Sequence, residues 1–397
     1  MSAPKRCSLK TTSFNDVASA LPQKKPLDQE AMQFVDLFVV AKGFEERVVA
    51  VPQRLLEMGC LGAQTCILVG RYRTNAPDNE QRYAQLGPLL EQSSQQVDIF
   101  DAENPLETHL AVSRRIQLLQ ELIGTRSVHI AIDISGASST LIFSLIATVF
   151  RHPANPKVTI LYAEASTYFP QVDNPTQIEL MPQNLVREEG TDGIERHELF
   201  RGHETTSRGN FIIGVPSYSF GRFEQCIYEL GEEGAPSPNK VLALIIPNTT
   251  ATNHQHHQST ISTYVRRIFA ESAVNDSTSP HPRVIECDVQ EYSHTVRTIM
   301  ELADEKLGSN VYLVHFGPKL QSLGAALALL VRSEVCLVFA RPKRFNASAY
   351  SDGVGKVWRI DFENPSNLMS ALREVGCVHV RQDEARPPSS GSSHPVE

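Results

Sequence analysis

Small polar residues and glycines follow two of the apolar runs in this 397-residue chain. Ser135, Gly136 and Ser138 follow the first run, and Gly317 and Lys319 follow the second. Serine and glycine between a strand and a helix leave backbone N–H groups free at the helix N-terminus, where they bind anions such as phosphate. Capping the helices is the other role that such residues have. The pattern therefore predicts either an anion site or two capped helices.

Three carboxylates are candidates for acid–base catalysis. Asp133 ends an otherwise apolar run, where a carboxylate must be paired or serve a ligand. It could cap the following helix or bind a ribose hydroxyl. Glu45 and Glu224 lie just inside predicted helices, at corresponding positions of two similar segments. Interaction with the positive end of the helix is the alternative to a catalytic role for these two glutamates.

Further ligand contacts are predicted after other apolar runs. Lys42 and Gly43 follow the run DLFVVA, and Ser217 and Tyr218 follow FIIGVP. Arg341 begins the basic sequence RPKR, directly after the last predicted parallel strand. Basic side chains at this edge of a sheet could clamp a phosphate. An exposed loop of the same composition is the alternative.

The motifs of common nucleotide enzymes and hydrolases are absent. The chain has no GxGxxG after its first apolar run, no GxxxxGK[ST], no GxSxG and no HExxH. The sequence HQHH, from His254 to His257, lacks carboxylate or cysteine companions, so we interpret it as a solvated loop. We predict no metal and no cofactor. The sequence does not decide whether the protein is an enzyme.

The apolar runs recur in the same order in two halves of the chain, which indicates an internal duplication. The paired segments are 36–44 and 211–220, 66–72 and 241–247, 96–102 and 283–289, 128–136 and 311–319, and 157–165 and 334–342. Runs without polar alternation are typical of parallel strands covered on both faces. Segments with helical spacing, of which 105–123 is the clearest, separate them. The predicted fold is α/β, with two tandem Rossmann-like, doubly wound parallel sheets.

Composition predicts the domain boundaries. The polar, Pro/Ser/Lys-rich residues 1–30 and 382–397 are predicted to be disordered tails. Residues 31–170 and 210–381 are the N-terminal and C-terminal Rossmann-like domains, and the polar stretch 171–209 is a linker with short elements. Because ligands bind at the carboxyl ends of strands in such sheets, we expect the ligand to lie across the seam between the halves.

Bulk properties argue against two classes of partner. A net charge of −8 and a pI near 5.9 do not suit a protein that coats nucleic acid. No apolar run approaches the roughly 20 residues that span a bilayer. The seven cysteines are odd in number and lie mostly in or beside apolar strands, as is typical of a reducing compartment. We therefore predict a cytoplasmic protein with no membrane partner.

The tandem units, with polar loops after their first and fourth strands, resemble the CRISPR-associated Rossmann fold (CARF) family of sensors. The loop residues in question are Ser135, Gly136 and Ser138 in one unit, and Gly317 and Lys319 in the other. The resemblance implies that these residues face a cyclic or linear oligonucleotide messenger of antiviral defence. The chain departs from the family plan because it shows no appended nuclease, helical or winged-helix effector domain. The response to the messenger would then come from a protein partner or from the pocket itself.

Three functions remain open on the sequence. The first is a sensor that binds a nucleotide-type ligand in bacterial defence. The second is an enzyme, a transferase or hydrolase, that acts on a nucleotide or a phosphorylated small molecule through Asp133, Glu45 or Glu224. The third is a structural adaptor in a multi-protein complex, because a fold does not determine a function. We favour the sensor, because the loops suit an anion and no catalytic constellation is evident.

Overall fold

The computed structural model describes residues 21–171, 188–231, 242–249, 255–273 and 283–384. Most of both predicted tails, and residues 172–187 of the predicted linker, lie outside the described residues. The end of the predicted N-terminal tail is described and is packed, contrary to expectation. Leu21 and Leu27 are buried because their side chains join hydrophobic cores of the protein.

Fifteen strands occur in the described residues. In chain order they are β1 Lys25–Pro26, β2 Leu37–Lys42, β3 Cys66–Arg71, β4 Gln96–Asp101, β5 His129–Asp133, β6 Lys157–Ala163, β7 Thr167–Tyr168, β8 Glu188–Arg196, β9 Asn210–Val215, β10 Leu242–Asn248, β11 Arg283–Asp288, β12 Asn310–His315, β13 Cys336–Phe345, β14 Ser351–Asp352 and β15 Val357–Phe362. The long parallel strands coincide with the ten apolar runs of the sequence to within a few residues.

Helices separate the parallel strands. They are α1 Ala50–Glu57, α2 Ala76–Ser93, α3 Pro105–Ile123, α4 Ser139–Arg151, α5 Phe220–Leu230, α6 Gln255–Ala273, α7 Tyr292–Glu305, α8 Lys319–Val331 and α9 Pro365–Glu384. Helix α3 has the predicted bounds because Pro105 suits a first turn and Asn104 accepts hydrogen bonds from the backbone of Leu106 and Glu107. None of the described helices has the length and apolar character that crossing a bilayer requires.

The strand order confirms the duplicated α/β fold. The first sheet contains the order β4-β3-β2-β5-β6, and the second contains β11-β10-β9-β12-β13. In both sheets the first strand of the unit lies between its second and fourth strands. Neighbouring strands in these runs are parallel. Each unit is therefore a doubly wound Rossmann-like sheet, as predicted.

Each sheet is extended by a strand from the other part of the chain. β15 follows the second unit but pairs antiparallel with β6 of the first, and β8 follows the first unit but pairs antiparallel with β13 of the second. The short strands β7 and β14 pair with each other. The sequence-based ranges place β15 in the C-terminal domain and β8 in the linker. Both strands lie in sheets because each supplies backbone partners to an otherwise open edge.

Helices α4 and α8 pack against each other and join the two halves. Every side chain from Leu141 to Phe150 is buried, and so is every side chain from Leu320 to Leu330. A helix that is apolar on all faces is stable in water only when neighbours cover it on every side. One hydrophobic core includes these helices and the inner faces of both sheets, whereas a separate core covers the outer face of each sheet.

Candidate functional site

A cleft of about 190 Å³ lies at the seam, where the loops after four strands meet. Gly43, Phe44 and Glu45 follow β2, and residues 136–138 follow β5. Loops after β9 and β12 of the second unit form the opposite wall. In the first sheet β2 and β5 are neighbours, and in the second sheet β9 and β12 are neighbours. The strand order reverses at both of these points, and open α/β sheets bind ligands at such points. Both switch points therefore face one cleft.

The N-terminal ends of α4 and α8 meet at this cleft. Lys319, the first residue of α8, donates from Nζ to the carbonyl oxygen of Ala137 at 2.8 Å, and the Ser322 hydroxyl donates to that of Ser139 at 3.1 Å. Ser138 caps α4 with its side chain, whereas α8 has no side-chain cap. Since each helix N-terminus carries a partial positive charge and unpaired N–H groups, the two ends together favour an anion.

Two glycines are required by close packing at the cleft. A Cβ atom on Gly136 would lie 2.4 Å from Cγ1 of Val48. A Cβ atom on Gly317 would lie 2.8 Å from Cγ1 of Val215. Any larger residue would therefore push the loop away from its neighbouring strand or helix.

The carboxylate of Glu45 links the two halves at the wall of the cleft. Arg47 Nη2 lies 2.5 Å from it, Lys319 Nζ lies 3.4 Å from it, and the Ser351 hydroxyl donates to it at 2.7 Å. Burial by itself would raise the pKa of Glu45, but the two cations and the hydrogen bond lower this pKa to about 2. The carboxylate is thus ionised at neutral pH. It neutralises buried cations and does not serve as a proton donor.

The amine of Lys319 has a perturbed pKa for a related reason. Burial lowers the pKa, Glu45 raises it and Arg47 lowers it again, with a result of about 8. Lys319 therefore carries its positive charge at neutral pH and loses it in mildly alkaline solution. Its Nζ lies where the two helix N-termini meet, because Lys319 begins α8 and contacts Ala137 just before α4.

Two arginines line the cleft on the side of the second unit. Arg222 pairs with Glu188 and donates to the carbonyl oxygen of Ala340 at 2.5 Å, and Arg341 lies 2.8 Å from Glu195. Three cations and three carboxylates line the cleft, namely Lys319, Arg222 and Arg341 against Glu45, Glu103 and Glu188. The attraction for an anion is therefore local to the helix ends and is not a property of the whole cleft.

A more open groove of about 600 Å³ adjoins the cleft. The two share Glu103, Phe339 and Arg341. Its other cations are Arg73, Arg196 and Arg201. Together the cleft and the groove reach the size of sites that bind cofactor-sized molecules.

Asp133 and Ser135 lie beneath the cleft and do not line it. Asp133 Oδ1 accepts hydrogen bonds from the backbone N–H of Ser135 at 2.8 Å and from its hydroxyl at 2.5 Å. The same hydroxyl accepts from the backbone N–H of Ala163 at 2.8 Å. Burial raises the pKa of Asp133 to about 7, although the Ser135 hydrogen bonds oppose this. The aspartate holds the loop that leads into α4, as a structural residue would.

Lys42 and Tyr218 also lie away from the cleft lining. Lys42 is buried and pairs with Glu80 at 2.5 Å. Tyr218 stacks on His257 with ring centroids 4.4 Å apart. His257 therefore belongs to the buried start of α6 and not to the predicted solvated loop, while His254 lies outside the described residues. No group of three potential metal ligands occurs in the described part of the chain.

The two glutamates expected at corresponding positions occupy different environments. Glu45 is buried three residues after β2, whereas Glu224 lies nine residues after β9, is exposed, and accepts a hydrogen bond from Tyr264 at 2.8 Å. The expectation of equivalence is therefore wrong, because Glu45 precedes the first helix of its unit, whereas Glu224 lies within α5.

Most of the predicted ligand contacts do meet in the cleft. Those that line it are Gly43, Gly136, Ser138, Ser217, Gly317, Lys319 and Arg341. Several other lining residues were not predicted from the sequence, of which the most informative are Phe44, Asn79, His315, Phe345 and Tyr350. Phe44 had a usable signal, because it directly follows Gly43 at the end of a strand. Asn79 had none, since it lies in the first turns of α2, and only the packing of the halves places it beside the cleft.

Comparison with known proteins adds no identity. No family model and no curated protein matches the chain. The cytoplasmic domain of a prokaryotic cation chloride cotransporter aligns at a TM-score of 0.22 with 10% identity, over 79% of this chain and 99% of that one. A UDP-N-acetylglucosamine 2-epimerase aligns at a TM-score of 0.20 with 10% identity, over 91% of this chain and 100% of that one. Structural similarity at this level carries no inference about function.

Proposed function

We propose that this protein binds a phosphate-bearing, nucleotide-type ligand in the cleft between its halves and acts as a sensor of that ligand. The observation that carries the proposal is the meeting of the α4 and α8 N-termini, with Lys319 Nζ between them. Because cations and carboxylates balance around the cleft, a ligand with one or two phosphates suits it better than a triphosphate.

The proposal extends to a signalling nucleotide of the kind that CARF domains bind. Two similar units that present the same loops to one cleft suit a ligand with two similar ends, such as a dinucleotide. The adjoining groove leaves room for the second end. A separate protein partner would produce the response to the bound ligand, in bacterial defence.

Direct binding measurements test the proposal. Isothermal titration with nucleoside mono-, di- and triphosphates, and with linear and cyclic dinucleotides, should show saturable binding that Lys319→Ala weakens about tenfold or more. Lys356→Ala is the matched control, because Lys356 is exposed and does not line the cleft. If no member of this panel binds the wild-type protein at millimolar concentration, the proposal is wrong.

Catalysis on the bound ligand is the second candidate function. It is favoured by the lowered pKa of Lys319, about 8, because an amine that exchanges a proton near neutral pH can act as a base or a nucleophile. Incubation of the tightest-binding nucleotide with the protein, followed by mass spectrometry of the ligand, tests this function. If the ligand is unchanged after many hours with an equimolar amount of protein, the catalytic function is excluded and only the binding function remains.

A further inference from the structure

Three aromatic rings form a cluster in the wall of the cleft. Phe44 lies 6.0 Å from Phe345 and 5.5 Å from Tyr350 between ring centroids, and the latter two lie 5.9 Å apart. All three side chains are only partly buried, and all three line the cleft. Phe44 comes from the first unit, whereas Phe345 ends β13 of the second unit and Tyr350 follows that strand. The cluster therefore exists only when the two halves are assembled.

A buried amide without a complete set of hydrogen bonds lies in the same wall. Asn79 is 2% exposed, and its Nδ2 donates to the carbonyl oxygen of Thr74 at 2.9 Å. Its Oδ1 has no hydrogen-bond partner among the described residues. A buried acceptor that is left unpaired costs free energy, and a ligand N–H would satisfy it.

Backbone contacts place Asn79 beside the aromatic cluster. The backbone N–H of Asn79 donates to the carbonyl oxygen of Asn75 at 3.0 Å. The Asn75 side chain in turn holds both backbone groups of Phe345, donating to its oxygen at 2.5 Å and accepting from its N–H at 2.7 Å. Arg82, further along α2, donates to the carbonyl oxygen of Phe44 at 3.4 Å. Helix α2 and its N-cap residue Asn75 therefore hold the backbone of two of the three aromatic residues.

We infer that the ligand carries a nucleobase, which stacks on the ring cluster of Phe44, Phe345 and Tyr350 and donates an N–H to Asn79 Oδ1. This inference rests on the proposed function and adds the orientation of the ligand. The base lies at the aromatic end, and the phosphate lies at the end where α4 and α8 meet. The loops at the two ends are in contact, because a Cβ atom on Gly43 would lie 3.0 Å from the carbonyl oxygen of Gly136.

Stacking and hydrogen bonding make separate demands on the ligand. Bases of any kind stack on aromatic side chains, and one stacked base is worth about 1–3 kcal/mol. The Asn79 acceptor additionally requires a donor on the edge of the base. Adenosine 5′-monophosphate has such a donor, its exocyclic amino group, whereas purine riboside 5′-monophosphate has none. Ribose 5-phosphate lacks the base altogether.

Titration of the full chain with these three probes tests the inference. We expect adenosine 5′-monophosphate to bind at least about tenfold more tightly than ribose 5-phosphate, with purine riboside 5′-monophosphate between them. Phe44→Leu should weaken binding of adenosine 5′-monophosphate about tenfold and leave ribose 5-phosphate unchanged, whereas Phe44→Tyr should retain wild-type affinity. Retained ribose 5-phosphate binding also shows that the Phe44→Leu variant is folded.

The outcomes separate the base site from the phosphate site. Equal affinities for adenosine 5′-monophosphate and ribose 5-phosphate, with no effect of Phe44→Leu, would overturn the base site and leave the proposed phosphate site in place. Binding of neither compound, nor of the guanosine, cytidine and uridine monophosphates, would overturn both. Lys319→Ala should weaken both compounds by a similar factor, since it acts at the phosphate end.

Discussion

Lys319 Nζ on α8 lies 3.4 Å from the carboxylate of Glu45, and this ion pair crosses the seam between the two halves at the cleft wall. Glu45 also pairs with Arg47 at 2.5 Å. An anion that binds Lys319 therefore competes with a contact that joins the halves. Binding in the cleft and the packing of the two units are coupled through one carboxylate.

Removing the charge of Glu45 should destabilise the protein strongly. Glu45→Gln leaves Arg47 and Lys319 as buried cations without their anion, and we expect the free energy of unfolding to fall by about 3–5 kcal/mol. Denaturant unfolding at pH 7 measures this change. Glu46→Gln is the control, because the Glu46 side chain is 47% exposed and should change stability by less than about 1 kcal/mol. Equal effects of the two substitutions would contradict the assigned role of Glu45.

Ligand affinity should fall as the pH rises through about 8. The pKa of Lys319 is lowered to about 8, so the amine is positively charged below this pH and neutral above it. The second phosphate ionisation, near pH 6, is complete by then and does not mask the effect. Lys319→Arg keeps the positive charge, so its affinity should stay constant between pH 7 and pH 9.5. Parallel titrations of both proteins over this range check the prediction.

Asp133 should lower the stability of the protein at neutral and alkaline pH. Burial raises the pKa of Asp133 to about 7, above the ordinary value of 3.8 for an aspartate, so the folded state holds an extra proton between these limits. Stability therefore falls as the pH rises from about 4 to 7, by at most about 4 kcal/mol. Asp133→Asn keeps the acceptor for Ser135 and should remove this slope. Unfolding curves of both proteins at pH 4, 5.5, 7 and 8 measure the slopes. Parallel slopes would contradict the prediction.

The packing of Gly136 can be tested with a double-mutant cycle. Gly136→Ala places a Cβ atom 2.4 Å from Cγ1 of Val48, and we expect a loss of about 1–3 kcal/mol. Val48→Ala removes that methyl group and also destabilises the protein by itself, because Val48 is fully buried. The double variant should lose less than the sum of the two single losses by about 1 kcal/mol. Strict additivity would show that the steric conflict does not exist.

Strand β15 follows the second unit but pairs with β6, so it should stabilise the first sheet and not the second. Ile360 in β15 pairs with Ile160 in β6. Ile360→Pro removes a backbone donor and disrupts the pairing, so hydrogen exchange should accelerate first at the amides of β6. If β15 instead belonged to the sheet of the second unit, hydrogen exchange would accelerate in β13. Hydrogen exchange followed by mass spectrometry distinguishes the two patterns.

Local patterns predicted the parallel strands and the clearest helix, but not the edge strands or the assembly of the two halves. The run HIAID predicts a buried strand, and Asn104-Pro105 predicts the start of α3, because burial on both faces and helix capping are local properties. The polar sequence EEGTDGIER (188–196) predicts a linker because it lacks apolar character, yet it forms edge strand β8, where backbone pairing with β13 decides the structure. The sequences of α4 and α8 carried an unused signal, since a helix that is apolar on all faces requires cover on every side.

By itself, the sequence determined the duplicated α/β fold and the loops that contain Gly136, Gly317 and Lys319, because strand ends and helix starts depend on neighbouring residues. Only the tertiary structure decided which of the candidates share one cleft. Lys42 and Lys319 both follow strand ends in the sequence, but Lys42 pairs with Glu80 within its own unit, whereas Lys319 reaches across the seam to Glu45. That difference depends on the packing of α4 against α8, and a contact between residues far apart in the chain leaves no local pattern.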